Sequence, residues 1–353
     1  MKLKSLSLGS AGLMLSLVSM SAQTPGAMQQ VDDVQQKRHL AQSAKDYKEG
    51  DSAPELYPDE TADVGPQTVL RLQPRHTLFE AMADAQYFYT DNMFLNERHH
   101  QGADVLVSTV EFALAPTAYD FAGGKLAPRI GYQHQWFNFG LADKDRIEIF
   151  DYSVNDRRSA SLSLFDFNSQ TAFTDVQWSK DNWVFEAGFD FRRLLSSSDY
   201  EEFYKEYVPR WSVQRVVPFC EHAAAIVGYA GDYRFGDPTP VVFVPPSQPP
   251  RTVNPDLGDR TDHTLFVTYN QILCRHAVFQ PYYQLKYTHF MDSTLGSRND
   301  LLSSVGAALY FTVCSNCEIR AFADYNTRFS DNRFVSEYQQ FDGGGGVNVT
   351  FRF

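Results

Sequence analysis

The chain has 353 residues, enough for one large domain or two ordinary ones. It carries 43 Asp and Glu against 31 Lys and Arg, a net charge of −12, which excludes a nucleic-acid partner, whose phosphates demand clustered base. Aromatics are plentiful (28 Phe, 19 Tyr, 4 Trp), yet no run after residue 22 is long and apolar enough for a membrane-spanning helix.

Residues 1–22 read as a signal peptide. Lys2 and Lys4 precede an apolar stretch from Leu6 to Val18, and the small Ser19, Ser21 and Ala22 mark the cleavage site. Export implies an oxidising compartment. Residues 23–75 are rich in Gln, Asp, Lys, Ala and Pro and nearly free of aromatics. Val31, Val34, Leu40, Ala41, Ala44 and Tyr47 make a weak helical stripe, which the Pro-broken Ala53-Pro54-Glu55-Leu56-Tyr57-Pro58 ends. This stretch is predicted to be a short N-terminal extension, flexible or partly helical.

From residue 76 to 353 the pattern is strand, turn, strand, loop, repeated. Strand one is expected near Phe79–Phe94, with Ala81, Ala83, Ala85, Tyr87 and Tyr89 on one face, and strand two over Asp104–Leu114. Strand three covers Pro128–Phe139, strand four ends near Trp178, and strand five starts at Trp183. In strand five Phe185, Ala187, Phe189 and Phe191 oppose Glu186, Gly188, Asp190 and Arg192. A less regular sixth strand, Tyr204–Val217, is followed by Ala223–Phe235, Thr264–Leu273, Val278–Phe290, Leu302–Val313 and Glu318–Phe329. The last strand follows Gly343–Gly346, with Val347, Val349, Phe351 and Phe353 alternating against Asn348, Thr350 and Arg352. Short connections (Ser179–Asn182, Phe219–His222, Cys274–His276, Ser315–Asn316) alternate with long ones (Leu95–Ala103, Leu141–Arg158, Leu195–Phe203, Gly236–Asp262, Met291–Asn299, Ser330–Gly345). That alternation, with about twelve strands, predicts an all-β transmembrane antiparallel up-and-down β-barrel with its short turns and N-terminal extension in the periplasm. A plug inside the barrel is disfavoured, because the extension has little apolar surface to bury.

The closing alternation on a terminal aromatic resembles the C-terminal assembly signal of bacterial outer-membrane β-barrel proteins, with Phe351 and Phe353 as its aromatics; Asn348 stands where that family often has Gly. Tyr87-Phe88-Tyr89-Thr90-Asp91-Asn92-Met93-Phe94-Leu95 and Val105-Leu106-Val107-Ser108 resemble the opening hairpin of uncharacterised outer-membrane porins. The resemblance implies an outer-membrane location, lipid around the barrel and the barrel-assembly machinery as partner. It supplies no substrate and no catalytic residue.

The polar faces of the strands select the lumen-lining charges. The acids are Asp84, Glu111, Glu186, Asp190, Asp232, Glu318 and Asp324; the bases are Arg129, Arg192, Arg234, Lys286, Arg320, Arg328 and Arg352. Gln86, Gln133, Gln135, Gln280, Gln284 and Thr288 lie between them. Buried charges must be paired or wet. A wet lumen is a narrow pore for small hydrophilic solutes, and a dry one is a salt-bridged, structural or surface-interaction barrel; strand number leans to the pore. Aromatics at strand ends (Tyr87, Tyr89 and Phe94; Trp136, Phe137 and Phe139; Trp178 and Trp183; Tyr283, Tyr287 and Phe290) suggest interfacial girdles, although aromatics also sit mid-strand. Cys220, Cys274, Cys314 and Cys317 all fall on the periplasmic turns and are expected to be oxidised to disulfides. The Cys314-Ser315-Asn316-Cys317 spacing resembles a redox motif but lacks a helix N-terminus. His222 and His276, and His99-His100, do not make a metal site, and no cofactor is expected. The grouping His289, Asp292 and Ser293 is the one hydrolase-like set, and loops rich in Ser and Asp produce such sets without catalysis. The reading is therefore a non-enzymatic channel, with homo-oligomerisation left open. The Pro-rich loop, with its apolar Val241-Val242-Phe243-Val244, is a candidate constriction, lid or contact surface.

Overall fold

The computed structural model describes residues 30–32, 34–35, 78–95, 97, 100–141, 146–151, 156–220, 222–238, 241–243, 251–253, 259–291, 298–332 and 337–353. The signal-peptide stretch and most of the extension lie outside the described residues. Twelve long strands follow in chain order: β1 Phe79–Thr90, β2 Ala103–Leu114, β3 Gly124–Phe139, β4 Phe167–Lys180, β5 Trp183–Ser196 and β6 Glu202–Cys220, then β7 Ala223–Pro238, β8 Arg260–Cys274, β9 Ala277–Phe290, β10 Arg298–Cys314, β11 Cys317–Ser330 and β12 Tyr338–Arg352. Each pairs antiparallel with its sequence neighbours, and β1 also pairs with β12, Ala83 opposite Val349 and Tyr89 opposite Gly343. The sheet is therefore a closed twelve-stranded antiparallel barrel with no free edge, the form in which strands can cross a bilayer with every backbone group paired.

The period of two sorts each strand. Outward residues such as Tyr87, Ile130, Phe185, Phe189, Trp211, Val227, Leu265, Tyr283, Val305, Tyr325 and Phe351 are exposed. Inward residues such as Asp84, Gln135, Arg192, Gln280 and Arg320 are buried. An apolar outside around a polar inside is the inverse of a soluble domain and matches a lipid exterior. The architecture is that of an outer-membrane β-barrel.

At the rim of short turns, Ala122 (φ 48°) and Gly123 (φ 76°) form a two-residue left-handed turn that lets β3 begin at Gly124, earlier than expected, and pair with Tyr119–Phe121. At the other rim the strands run further than the sequence pattern marks. β8 begins at Arg260 and β10 at Arg298, because above the lipid band both faces of a strand are polar and alternation fades. The loop run Val241–Phe243 pairs with Arg251–Val253 in a separate two-stranded sheet; Val244 lies outside the described residues.

Glycines shape the seam. On β12, Gly344 lies between Phe88 of β1 and Phe322 of β11. A Cβ there would collide with the Tyr87 carbonyl and with Phe88 itself. Its absence lets the Phe88 and Phe322 rings meet at 6.1 Å between centroids. Two residues on, Gly346 leaves room for the Arg320 guanidinium, whose Nη2 would lie 3.2 Å from an added Cβ.

The four cysteines divide. Cys314 and Cys317 face each other across the Ser315-Asn316 turn, with Cα atoms 4.9 Å apart, and form a disulfide. Cys220 and Cys274 are free and exposed, contrary to expectation. They end β6 and β8, with β7 between them. Two strand spacings are about 10 Å, beyond the Cα separation a disulfide spans.

Candidate functional site

The lumen wall is built of local charge networks. At the seam, Arg320 grips Asp84 with both terminal nitrogens, at 2.8 and 2.9 Å, and donates to Gln86 Oε1 at 2.8 Å. Nearer the short-turn rim, Arg129 pairs with Glu111 and, at 2.9 Å, with Glu80, while Gln133 donates to Glu111 and Arg352 to Glu80. On the wall of β4–β6, Arg210 pairs with Glu186, with Asp190 at 3.2 Å and with Asp175 at 3.3 Å. Near the outer rim, Arg298 pairs with Asp300, and the Arg328 guanidinium lies 4.5 Å from the centre of the Tyr338 ring.

The densest network surrounds a residue that does not belong to the wall. Residues 30–32 and 34–35 are helical and lie inside the barrel. Asp32 Oδ1 accepts from Arg192 Nη1 at 3.1 Å and from Arg234 Nη1 at 2.9 Å, and Oδ2 lies 3.5 Å from Lys286 Nζ. Gln35, one helical step on, accepts from Arg192 Nη2 at 2.6 Å. These bases come from β5, β7 and β9. The wall acids Glu206, Asp232 and Asp262 complete the network: Glu206 pairs with Arg192 at 2.8 Å, Asp232 with Arg234 at 2.9 Å and Asp262 with Lys286 at 3.1 Å. Arg260 stands 3.7 Å from Asp262. Low dielectric strengthens such bonds and makes any unpaired member costly.

The other face of the segment is apolar. Val31 and Val34, spaced i and i+3, are completely or almost completely buried in a cluster with Phe88, Val105, Val107, Phe137, Phe167, Leu194 and Tyr204. Below Asp32 and Gln35 a cavity of about 1680 Å³ extends to the short-turn rim, past Glu111, Arg129, Glu186 and Arg210 to Cys274 and Cys314–Cys317. It is a cup at the short-turn end of the barrel, with Asp32 and Gln35 of the segment at its other end.

Of the sequence-predicted lumen set, Glu111, Arg129, Glu186, Asp190, Arg192, Asp232, Arg234, Lys286, Glu318, Arg320 and Arg352 line this cavity. Asp84 and Asp324 are buried in the wall, Asp324 accepting from Asn326 at 3.2 Å. Arg328 sits by the outer rim with Tyr338. The charges meet partners on the same strand, on the adjacent one or on the next but one, as Arg129 of β3 meets Glu80 of β1 and Arg210 of β6 meets Asp175 of β4. Glu80, Asp175, Glu206 and Arg210 were missed, although they obey the same alternation as the residues beside them. Of the aromatics expected in an interfacial girdle, Tyr87, Tyr89, Trp183, Tyr283 and Tyr287 are exposed, whereas Phe137, Phe139 and Phe290 are buried and Phe94 packs edge-on against Phe165. The extension, expected beneath the barrel, has its five described residues within it: two valines one turn apart suffice where the lumen itself is lined by aromatics. His289 Nδ1 lies 2.7 Å from Asn299 Oδ1, while Asp292 and Ser293 lie outside the described residues. Among the described residues no cluster of His, Cys, Asp and Glu could hold a metal ion.

No family model and no curated protein matches the chain. Among solved structures it is similar to the β-domain of the Bordetella autotransporter BrkA, at 12% identity over 78% of this chain and 100% of that one, TM-score 0.43. It is also similar to an outer-membrane channel from Pseudomonas putida, at 10% identity over 82% and 100%, TM-score 0.44. The translocator domain of the autotransporter NalP from Neisseria meningitidis follows at 14% identity over 79% and 91%, TM-score 0.39. At TM-scores this low the likenesses carry no argument, and the fold rests on the strand register of the barrel itself.

Proposed function

We propose that the chain is an outer-membrane channel for small hydrophilic solutes that its own N-terminal segment holds closed. The observation that carries this reading is the placement of Asp32 among Arg192, Arg234 and Lys286, at the head of a charge-lined cup of about 1680 Å³. A barrel with a purely structural role has no need of so large a polar cavity, and a permanently open pore has no need of a roof. Asp32, Gln35, Val31 and Val34 are held by side-chain contacts, which can be broken without breaking a strand pairing. The remainder of the extension is read as periplasmic, and no catalytic role is read into the lumen.

A non-transporting barrel is the second reading. It is favoured by the apolar cluster around Val31 and Val34, which packs inside the barrel as a core does in a soluble domain. Planar-bilayer recording separates the two. The full chain is expected to show small or rare conductance steps, and Asp32→Ala, or a chain lacking residues 23–40 behind its signal peptide, frequent and larger ones. Silence in all three forms, with each correctly inserted, would leave the structural barrel.

A further inference from the structure

Among the described wall residues around Asp32, cations and acids interleave. Arg192, Arg234, Arg260 and Lys286 supply four positive charges, and Glu206, Asp232 and Asp262 supply three negative ones. Asp32 is the fourth acid, and it comes from a segment outside the sheet. Its two oxygens are met from three strands, Oδ1 by two guanidinium groups and Oδ2 by an ammonium. The cations are held in place by the wall acids rather than by Asp32: Arg192 and Arg234 both reach Glu206, at 2.8 and 3.5 Å, and Lys286 reaches Asp262. When the segment leaves, the three donors remain ordered around the position of a carboxylate. Such pre-organised, charge-assisted donors are what a small anion needs, because neither partner then loses much freedom on binding.

We propose that this set is the solute-binding site of the open channel, and that the solutes it takes are small molecules bearing a carboxylate. Asp32 is then an internal occupant of the substrate site. Gln35, beside it on Arg192, marks where a neutral oxygen of the solute, a hydroxyl or carbonyl next to the carboxylate, would accept a hydrogen bond. The inference rests on the reading of the barrel as a channel closed by its segment.

The test uses the full chain with Asp32→Ala in planar bilayers, with potassium acetate as the probe. In a potassium chloride gradient the variant is expected to prefer anions. Acetate added at constant ionic strength is expected to reduce its chloride current, and Asp32→Ala with Arg234→Gln to need roughly tenfold more acetate for the same reduction. Lys286→Gln is the second variant should Arg234→Gln fail to assemble. In melting experiments Asp32→Ala is expected to unfold at a higher temperature in acetate than in chloride, and the full natural chain to show no difference. Frequent conductance steps that lack anion preference, or acetate reduction unmoved by both lumen variants, would overturn the carboxylate site and leave the closed-channel reading standing. No steps from Asp32→Ala or from the chain lacking residues 23–40 would overturn the channel reading, and the site with it.

Discussion

The Arg320–Asp84 pair tests whether the seam side of the lumen is dry. The Asp84 side chain is wholly buried and that of Arg320 is 3% exposed. In Arg320→Met the carboxylate keeps, among the described residues, the Asn348 amide at 3.5 Å, in place of two charge-assisted bonds. Stranding a buried carboxylate in this way costs about 3–5 kcal/mol. For a urea dependence of about 2–3 kcal/mol per molar, the unfolding midpoint falls by about 1–2.5 M. Replacing both members, Asp84→Leu with Arg320→Met, removes the stranded charge and is expected to recover most of the loss. Arg352→Met is the control: its side chain is 45% exposed where it meets Glu80, and such a pair is worth about 0–1 kcal/mol. Unfolding of the inserted barrel, followed by its gel mobility without boiling, gives all four midpoints. If Arg320→Met costs less than about 1 kcal/mol, or the double variant is as damaged as the single one, water reaches the seam and the dry-wall argument fails.

Three further outcomes follow from the geometry. A membrane-impermeant thiol reagent admitted to the periplasm is expected to label Cys220 and Cys274 without reduction, and Cys314 and Cys317 only after it; four protected sulfurs would mean a second disulfide. Removal of Phe353 deletes the carbonyl that accepts from Leu78 N at 2.6 Å and Phe79 N at 3.1 Å, and the amide that donates to Phe79 O at 2.9 Å. It is expected to lower outer-membrane levels severalfold, read by immunoblot of membrane fractions, while material refolded in vitro keeps its circular dichroism. Gly344→Ala is expected to destabilise the barrel by about 1–3 kcal/mol through the clash with Phe88. Gly343→Ala, which meets only the movable Phe341 ring at 3.3 Å, is expected to cost far less in the same urea assay.

Much of the barrel is legible in the sequence because lipid and lumen impose opposite demands on alternate residues. In β5 a single reading of Phe185 to Arg192 separates the lipid face from the charged one, and the structure keeps that division. The rule weakens where one demand lapses. Arg260, Asp262 and Arg298 fell to loops, and Asp300 to no strand, because no apolar partner marks the outward positions Thr261 and Asn299 between them. Aromatics mislead in their own way: Phe137 and Phe139 look like girdle residues but pack inward, where Phe167 stacks on Phe137 at 4.4 Å. The place of Asp32 was illegible for a different reason. Its partners lie 160 and 202 residues away, and no local period records a contact of that range. The Val31 and Val34 spacing was visible in the helical stripe, but its significance depended on a lumen with aromatic walls.

The glycines of β12 bear on how the barrel is finished. Phe88 and Phe322, and Arg320 with Asp84, belong to β1 and β11, which do not touch in the sheet; each pair meets only across the bare backbone of Gly344 and Gly346. Neither contact exists while the last strand hangs free. Insertion of β12 therefore gains two new ladders and two cross-seam latches in one event, and a half-docked strand gains few of them. The final step of assembly is in this sense cooperative, and the flattest, least decorated stretch of the chain is what allows it to be so.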